Sequence, residues 1–217
     1  AHGGGGIKNY KYTNSIESVN KSINDGFKLI ELDLHVSREG NIFAFHDFKR
    51  LNNACKSDKI ISKNFESSSL MKCKKRYYDN LTLLHENEIN NIFSNNSNLI
   101  LVTDKIKNFS ILKQKLSFTE RMIVEIFSIK DYIISRLNGI KYPMYNFQGN
   151  KKDKIFITIF RPKFISIHVN NVLKHKDYIR KIYLKNKTLI YAYTSNDREL
   201  NNILINNLVH GVYTDLN

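Results

Sequence analysis

From Leu29 to Val36 apolar and polar residues alternate, which is the period of a strand with two unlike faces. Its polar members are Glu31, Asp33 and His35, and the pleat turns all three to one side. Arg38 to Asn41 reads as a turn, and Ile42 to Phe45 as a short returning strand that ends at His46-Asp47. Upstream, Ile16, Val19, Ile23 and Phe27 recur at helical spacing and predict a helix over 15–25, which Gly26 ends. Thr13-Asn14-Ser15-Ile16-Glu17 opens it, with Asn14 three residues before Glu17 in capping-box spacing.

Beyond this stretch the pattern becomes a beat of short apolar runs and helical segments. Leu81 to Leu84 is an apolar turn into a helix with Ile89, Ile92 and Phe93 facing inward, and His85 reads as a surface residue. Leu99 to Asp104 has the form of a fully buried parallel strand ending in an acid, followed by a helix over 107–117. Strands are predicted over 121–127, 139–147, 163–168 and 189–193, with a closing strand from Gly211, and helices over 129–137 and 171–184. Residues 48–80 are polar, rich in Ser and Lys and without period. They read as a solvated loop over the mouth of a site, with Lys72 to Arg76 its densest basic run.

Composition narrows the picture. The 217 residues suit one domain, taken as 1–217, and no apolar run approaches the length of a membrane span. The net charge of +14 invites a nucleic-acid reading, but the basic residues run the whole length without a recognised nucleic-acid motif, so no such partner is expected. Cys55 and Cys73 lack metal-ligand spacing and read as free thiols of a reducing compartment, hence a cytoplasmic location.

Chemistry concentrates in the acidic strand. Glu31 and Asp33, one pleat apart, with a histidine delivered beside them, suit a hard divalent cation and proton transfer; a half-exposed edge strand carrying charge is the alternative. His2-Gly3-Gly4-Gly5-Gly6 read alone is a flexible tail. Taken together, Ala1-His2-Gly3-Gly4, Thr13-Asn14-Ser15, Glu31-Leu-Asp33, Gly40 and His46-Asp47 resemble, in order, the motifs of the glycerophosphodiester phosphodiesterase family. That family opens on His-Arg-Gly, continues through Glu-Asn-Thr and Glu-x-Asp, and closes this region on His-Asp. Later, Tyr193-Thr-Ser-Asn196-Asp197 resembles its Trp-Thr-x-Asn-Asp element, and Gly211-Val-Tyr-Thr214-Asp215 its closing Gly-x-x-Thr-Asp strand.

The resemblance implies a compact (β/α)8 TIM-type barrel. Seven strand-like segments follow Ala1, and the eighth is expected before His2, truncated or outside the chain. It implies Glu31, Asp33 and Asp104 as ligands of one Mg²⁺ or Ca²⁺, with His2 and His46 as general acid and base. Lys105, Glu125, His168 and Tyr193 are the candidate substrate contacts. The activity implied is hydrolysis of a glycerophosphodiester: one with a small head group, a lysophospholipid, or a phosphoglycerol-linked glycan. A catalytically weak phosphoglycan- or lipid-binding barrel is the alternative, motivated by two departures from the pattern. Gly3 stands in the place of an arginine, which removes a phosphate grip and is expected to open space for a bulkier substrate; and Ile106 stands where a lysine is usual.

Overall fold

A computed structural model describes residues 1–56, 60–74, 76–185 and 187–215. The chain divides into two compact units, Ala1–Met122 and Ile123–Asp215. No helix among the described residues is long and apolar enough to cross a membrane.

In the first unit, α1 (Ile16–Asn24) leads to β1 (Leu29–Leu32), β2 (Leu34–Val36) and β3 (Ile42–Ala44). After these come α2 (Phe48–Cys55), α3 (Ser67–Cys73), α4 (Glu86–Asn95), β4 (Ile100–Thr103) and α5 (Phe109–Lys115). The predicted strand 29–36 is thus broken at Asp33. β1 pairs parallel with β4, Glu31 opposite Val102, while β2 turns away into an antiparallel hairpin with β3, Leu34 opposite Ala44. Gly40, at φ +82, makes the tight turn, its N–H donating to the Ser37 carbonyl. The residues before α1 are also held at β1: the Ala1 amino group donates to Leu29 O (2.7 Å), and Glu31 N donates to Ala1 O (2.8 Å).

Three expectations for this unit need correction. Ser15, not Asn14, caps α1, in a reciprocal pair with Ser18; Glu17 instead accepts from the Thr82 N–H and hydroxyl, both at 2.8 Å. Residues 48–80 are not a bare loop. Phe43, Phe45, Leu51, Ile61, Phe65, Leu70 and Tyr77 bury together beneath α2 and α3, and their spacing across a polar background hid a small core of its own; Ser57–Lys59 and Lys75 lie outside the described residues. Nor are Cys55 and Cys73 free thiols. They form a disulfide inside that core, with Cα atoms 5.3 Å apart, because the end of α2 and the end of α3 meet there.

In the second unit, β5 (Met122–Ile126), α6 (Ile129–Leu137), β6 (Tyr142–Phe147), α7 (Lys151–Phe160) and β7 (Phe164–His168) alternate strictly. They are followed by α8 (Val169–Lys174), α9 (Lys176–Lys185), β8 (Leu189–Tyr193), α10 (Arg198–Asn207) and β9 (Gly211–Val212). β5, β6, β7, β8 and β9 pair in that order, all parallel. Such strands need helical crossovers, which explains the beat read from the sequence. The predicted helix 171–184 is two helices, parted at His175.

Candidate active site

The end of β1 and the end of β4 carry the acidic cluster. Glu31, Asp33 and Asp104 each offer a carboxylate oxygen, all within 4.8 Å of one another. Each has a built environment. The Gly3 N–H donates to Glu31 Oε2 at 2.6 Å. Asn14 grips Asp33 twice, its Nδ2 donating to Oδ2 (3.0 Å) and its Oδ1 accepting from the Asp33 N–H (2.9 Å). Asp33 and Glu31 are buried, so the charges are expensive unless a cation shares the space. Burial first, and then the neighbouring Asp104, push the Asp33 carboxyl above its ordinary value.

Asp104 Oδ1 is buried and has no hydrogen-bond partner. An orphaned carboxylate oxygen beside two more carboxylates is the donor set of a hard cation such as Mg²⁺ or Ca²⁺, and these residues fit one. Lys105 supplies the resident positive charge, its Nζ lying 2.7 Å from Asp104 Oδ2 and 3.3 Å from Asp33 Oδ1. Burial alone would lower its pKa, but Asp104 and Asp33 outweigh this and raise it.

Histidines flank the acids. Phe45 N donates to Asp33 O (2.9 Å), which ties the end of β3 to β1 and delivers His46-Asp47 beside the cluster. His46 Nδ1 lies 2.8 Å from Asp47 Oδ2, and Asp47 also caps α2 through Arg50 N (2.8 Å). Burial pushes the Asp47 carboxyl up, but the bonds from Arg50 N and His46 more than offset it, so it titrates below its ordinary value. His2 Nε2 is 4.0 Å from Glu31 Oε2. Tyr12 contacts both histidine rings, at centroid distances of 4.6 Å to His2 and 5.1 Å to His46, and the Arg50 guanidinium lies 4.7 Å over its ring.

His35 shares the acidic strand but not the role its alternation suggested. Its ring stacks on Phe45 at 4.0 Å, and Nε2 is buried without a partner. Burial lowers its pKa to about 4.

Gly3 also differs from expectation. At φ +55, an added Cβ would lie 2.6 Å from Tyr12 Cα, so the glycine opens no space: Tyr12 fills it. Arg50, which lies over Tyr12 and 3.4 Å from Asp47, is a cation near this site that sequence reasoning missed because it sits inside the stretch read as loop. Its i,i+3 spacing from Asp47 was the available signal.

In the second unit, Glu125 and Tyr193 meet on Asn146, which the sequence reading also missed. Asn146 Nδ2 donates to Glu125 Oε1 (2.7 Å) and to Tyr193 OH (2.9 Å), and Ser166 Oγ donates to Glu125 Oε1 (2.6 Å). Gln148 Nε2 donates to Asn146 Oδ1. Polar residues thus recur on the same side of neighbouring parallel strands, Asn146 directly opposite Ser166. His168 is exposed at the end of β7, where Nδ1 accepts from Asn170 N (3.2 Å), and its ring meets Tyr193 edge-on at 5.6 Å.

Parallel strands crossing through helices, with carboxylates at two strand ends and histidines beside them, define an α/β fold with an acidic cluster at its strand ends that suits a hard cation. The chain belongs to the glycerophosphoryl diester phosphodiesterase family, whose model matches residues 4–175, and is therefore a phosphoric diester hydrolase. Comparison with curated proteins found no match. Solved structures share the fold. A phosphodiesterase of Oleispira antarctica, in complex with the product sn-glycerol-3-phosphate, has a TM-score of 0.70 at 18% identity, covering 93% of this chain and 87% of that one. The glycerophosphodiester phosphodiesterase of Thermotoga maritima has a TM-score of 0.70 at 21% identity, over 93% and 88%. A putative glycerophosphoryl diester phosphodiesterase of Agrobacterium tumefaciens has 0.74 at 12%, over 100% and 92%. The fold class is that of the (β/α)8 TIM-type barrel.

Proposed function

We propose that this protein hydrolyses a glycerophosphodiester in a metal-dependent reaction in which Glu31, Asp33 and Asp104 hold one divalent cation, Mg²⁺ or Ca²⁺. The observation that carries the reading is the convergence of these three carboxylates, two of them buried, around an unpartnered Asp104 oxygen. When bound, such a cation neutralises a non-bridging phosphate oxygen and offsets charge developing at phosphorus.

The chain's own groups do the rest. Asp47, held ionised, accepts from His46 Nδ1 and keeps the proton there, so that Nε2 is the atom that exchanges a proton with substrate. His2 is the second proton carrier. One histidine takes the proton of the attacking hydroxyl, from water or from the glycerol itself, and the other gives a proton to the departing alcohol. Tyr12 keeps the two rings on one support, and Arg50, stacked on that support, supplies the forked cation that Gly3 cannot. Lys105, whose ammonium sits on Asp33 and Asp104, would be available to the substrate phosphate if a metal ion took those carboxylates. In the second unit, the Asn146 network that joins Glu125 and Tyr193 is proposed as a binding surface for polar groups of a substrate.

The substrate class rests on the family and on the sn-glycerol-3-phosphate product bound by the Oleispira antarctica enzyme. Diesters with a small head group, a lysophospholipid and a phosphoglycerol-linked glycan are the members to compare. The disulfide favours an oxidising compartment over the cytoplasm. The test is a panel of these diesters followed by phosphorus NMR. His46→Ala and His2→Ala are each expected to slow release of phosphomonoester by ~100-fold or more while the protein stays folded. Undiminished hydrolysis by either variant removes that histidine from the mechanism.

A further inference from the structure

The faces of α6 and α7 that point away from the sheet are unusually apolar. Leu137 is 82% exposed and Ile159 68%, and Ile133, Ile155 and Phe160 are exposed beside them. Ile155 and Ile159, four residues apart, form one ridge along α7, opposite the buried Phe156 and Ile157. Between the two helices lies a cavity of about 410 Å³, with Ile133, Leu137 and Phe160 among its walls. The same cavity is lined by Arg136, Lys141, Arg161 and Lys163, and by no carboxylate.

Arg136, Arg161 and Lys163 are not held in ion pairs. Arg136 donates to the Lys141 carbonyl (3.2 Å), and Lys163 lies 4.7 Å over the Tyr142 ring, which leaves their charge uncompensated. No described carboxylate lies within ion-pair distance of Arg136, Arg161 or Lys163. Exposed aliphatic side chains next to unpaired guanidinium and ammonium groups are the pattern of a surface that sits at a membrane interface, apolar groups among the acyl chains and cations among the phosphates. A second copy of the chain is disfavoured as the occupant, because it would bring the same basic rim and a net charge of +14.

We infer that the α6–α7 face is a docking site for an anionic lipid surface, with the cavity accepting part of an acyl chain and Arg136, Arg161 and Lys163 meeting lipid phosphates. None of these residues takes part in the proposed chemistry, so docking and hydrolysis are separable.

The experiment is co-sedimentation of the full chain with phosphatidylcholine vesicles and with the same vesicles containing phosphatidylglycerol. The wild type is expected to pellet with the phosphatidylglycerol vesicles and not with phosphatidylcholine alone. Leu137→Asp with Ile159→Asp is expected to weaken binding about tenfold or more, since both the buried apolar area and the attraction are lost, with turnover of a soluble diester unchanged. A charge-matched control, Lys72→Ala with Arg76→Ala, separates this face from general basicity and is expected to retain more of the binding. The inference is overturned if the wild type ignores phosphatidylglycerol vesicles, if the apolar double variant binds equally well, or if the control loses as much. It is also overturned if light scattering shows a wild-type dimer that Leu137→Asp with Ile159→Asp dissociates, which would give the face to a second copy.

Discussion

Lys105 holds the charge balance of the acidic cluster while no metal ion is bound, because its ammonium sits on both Asp33 and Asp104. A divalent ion and this ammonium therefore compete for the same oxygens. Lys105→Met is expected to raise the affinity for Mg²⁺ or Ca²⁺ about tenfold, read by calorimetry without substrate; weaker binding would mean that Lys105 assists the ion instead. His35 gives a second test at this scale. Its pKa is about 4 in the folded chain against 6.5 unfolded, so the folded state binds fewer protons. Its contribution is fully present above the unfolded value and is lost as pH falls from 6.5 towards 4. The difference is worth about 3 kcal/mol. The metal-free protein should thus lose resistance to denaturant as pH falls between those values, and His35→Asn should flatten the dependence. An equal slope in both proteins would assign the acid sensitivity to other groups. Gly3 and Asn14 show why sequence reading stopped short here. The motif located both positions. Only the backbone shows that Gly3 donates to Glu31 with Tyr12 filling the space beside it, and that Asn14 clamps Asp33 rather than capping a helix.

At the scale of elements, the period-2 and period-3.6 patterns located β1, β4, β5, α1 and α6 well, because each is anchored by apolar residues on one face or throughout. They failed at α2 and α3, where few apolar positions per turn are buried and the partners of Leu51 and Leu70 are aromatic residues brought from β3 and from around Phe65. They failed also at α7, whose Ile155-Phe156-Ile157 run has strand-like residues in a helix that Asn150 caps. The disulfide ties the ends of α2 and α3, and α2 carries Asp47 as its cap and Arg50 in its first turn. Cys55→Ser with Cys73→Ser, a closed loop of sequence separation 18, is expected to cost roughly 3 kcal/mol in denaturant unfolding. The same variant should slow turnover, since the support of His46 loosens. Unchanged stability would mean that the aromatic core alone holds the helices.

For the molecule as a whole, the family and the fold class were legible because the motifs mark strand ends, where a parallel α/β fold collects its chemistry. The convergence of the three carboxylates was legible for the same reason: Glu31 and Asp33 alternate along one stretch, and Asp104 ends a buried run. Arg50, Tyr12 and Asn146 were not, since each acquires meaning only from neighbours distant in sequence. The central claim is that a glycerophosphodiester is cleaved with one divalent cation on Glu31, Asp33 and Asp104. Its most direct test is release of phosphomonoester by the chelator-treated protein, before and after Mg²⁺ or Ca²⁺ is restored, followed by phosphorus NMR. Hydrolysis is expected to fall by ~100-fold or more on chelation, to return with the metal ion, and to stay lost in Asp104→Asn. Full hydrolysis in the presence of chelator, or an Asp104→Asn variant as active as the wild type, would contradict it.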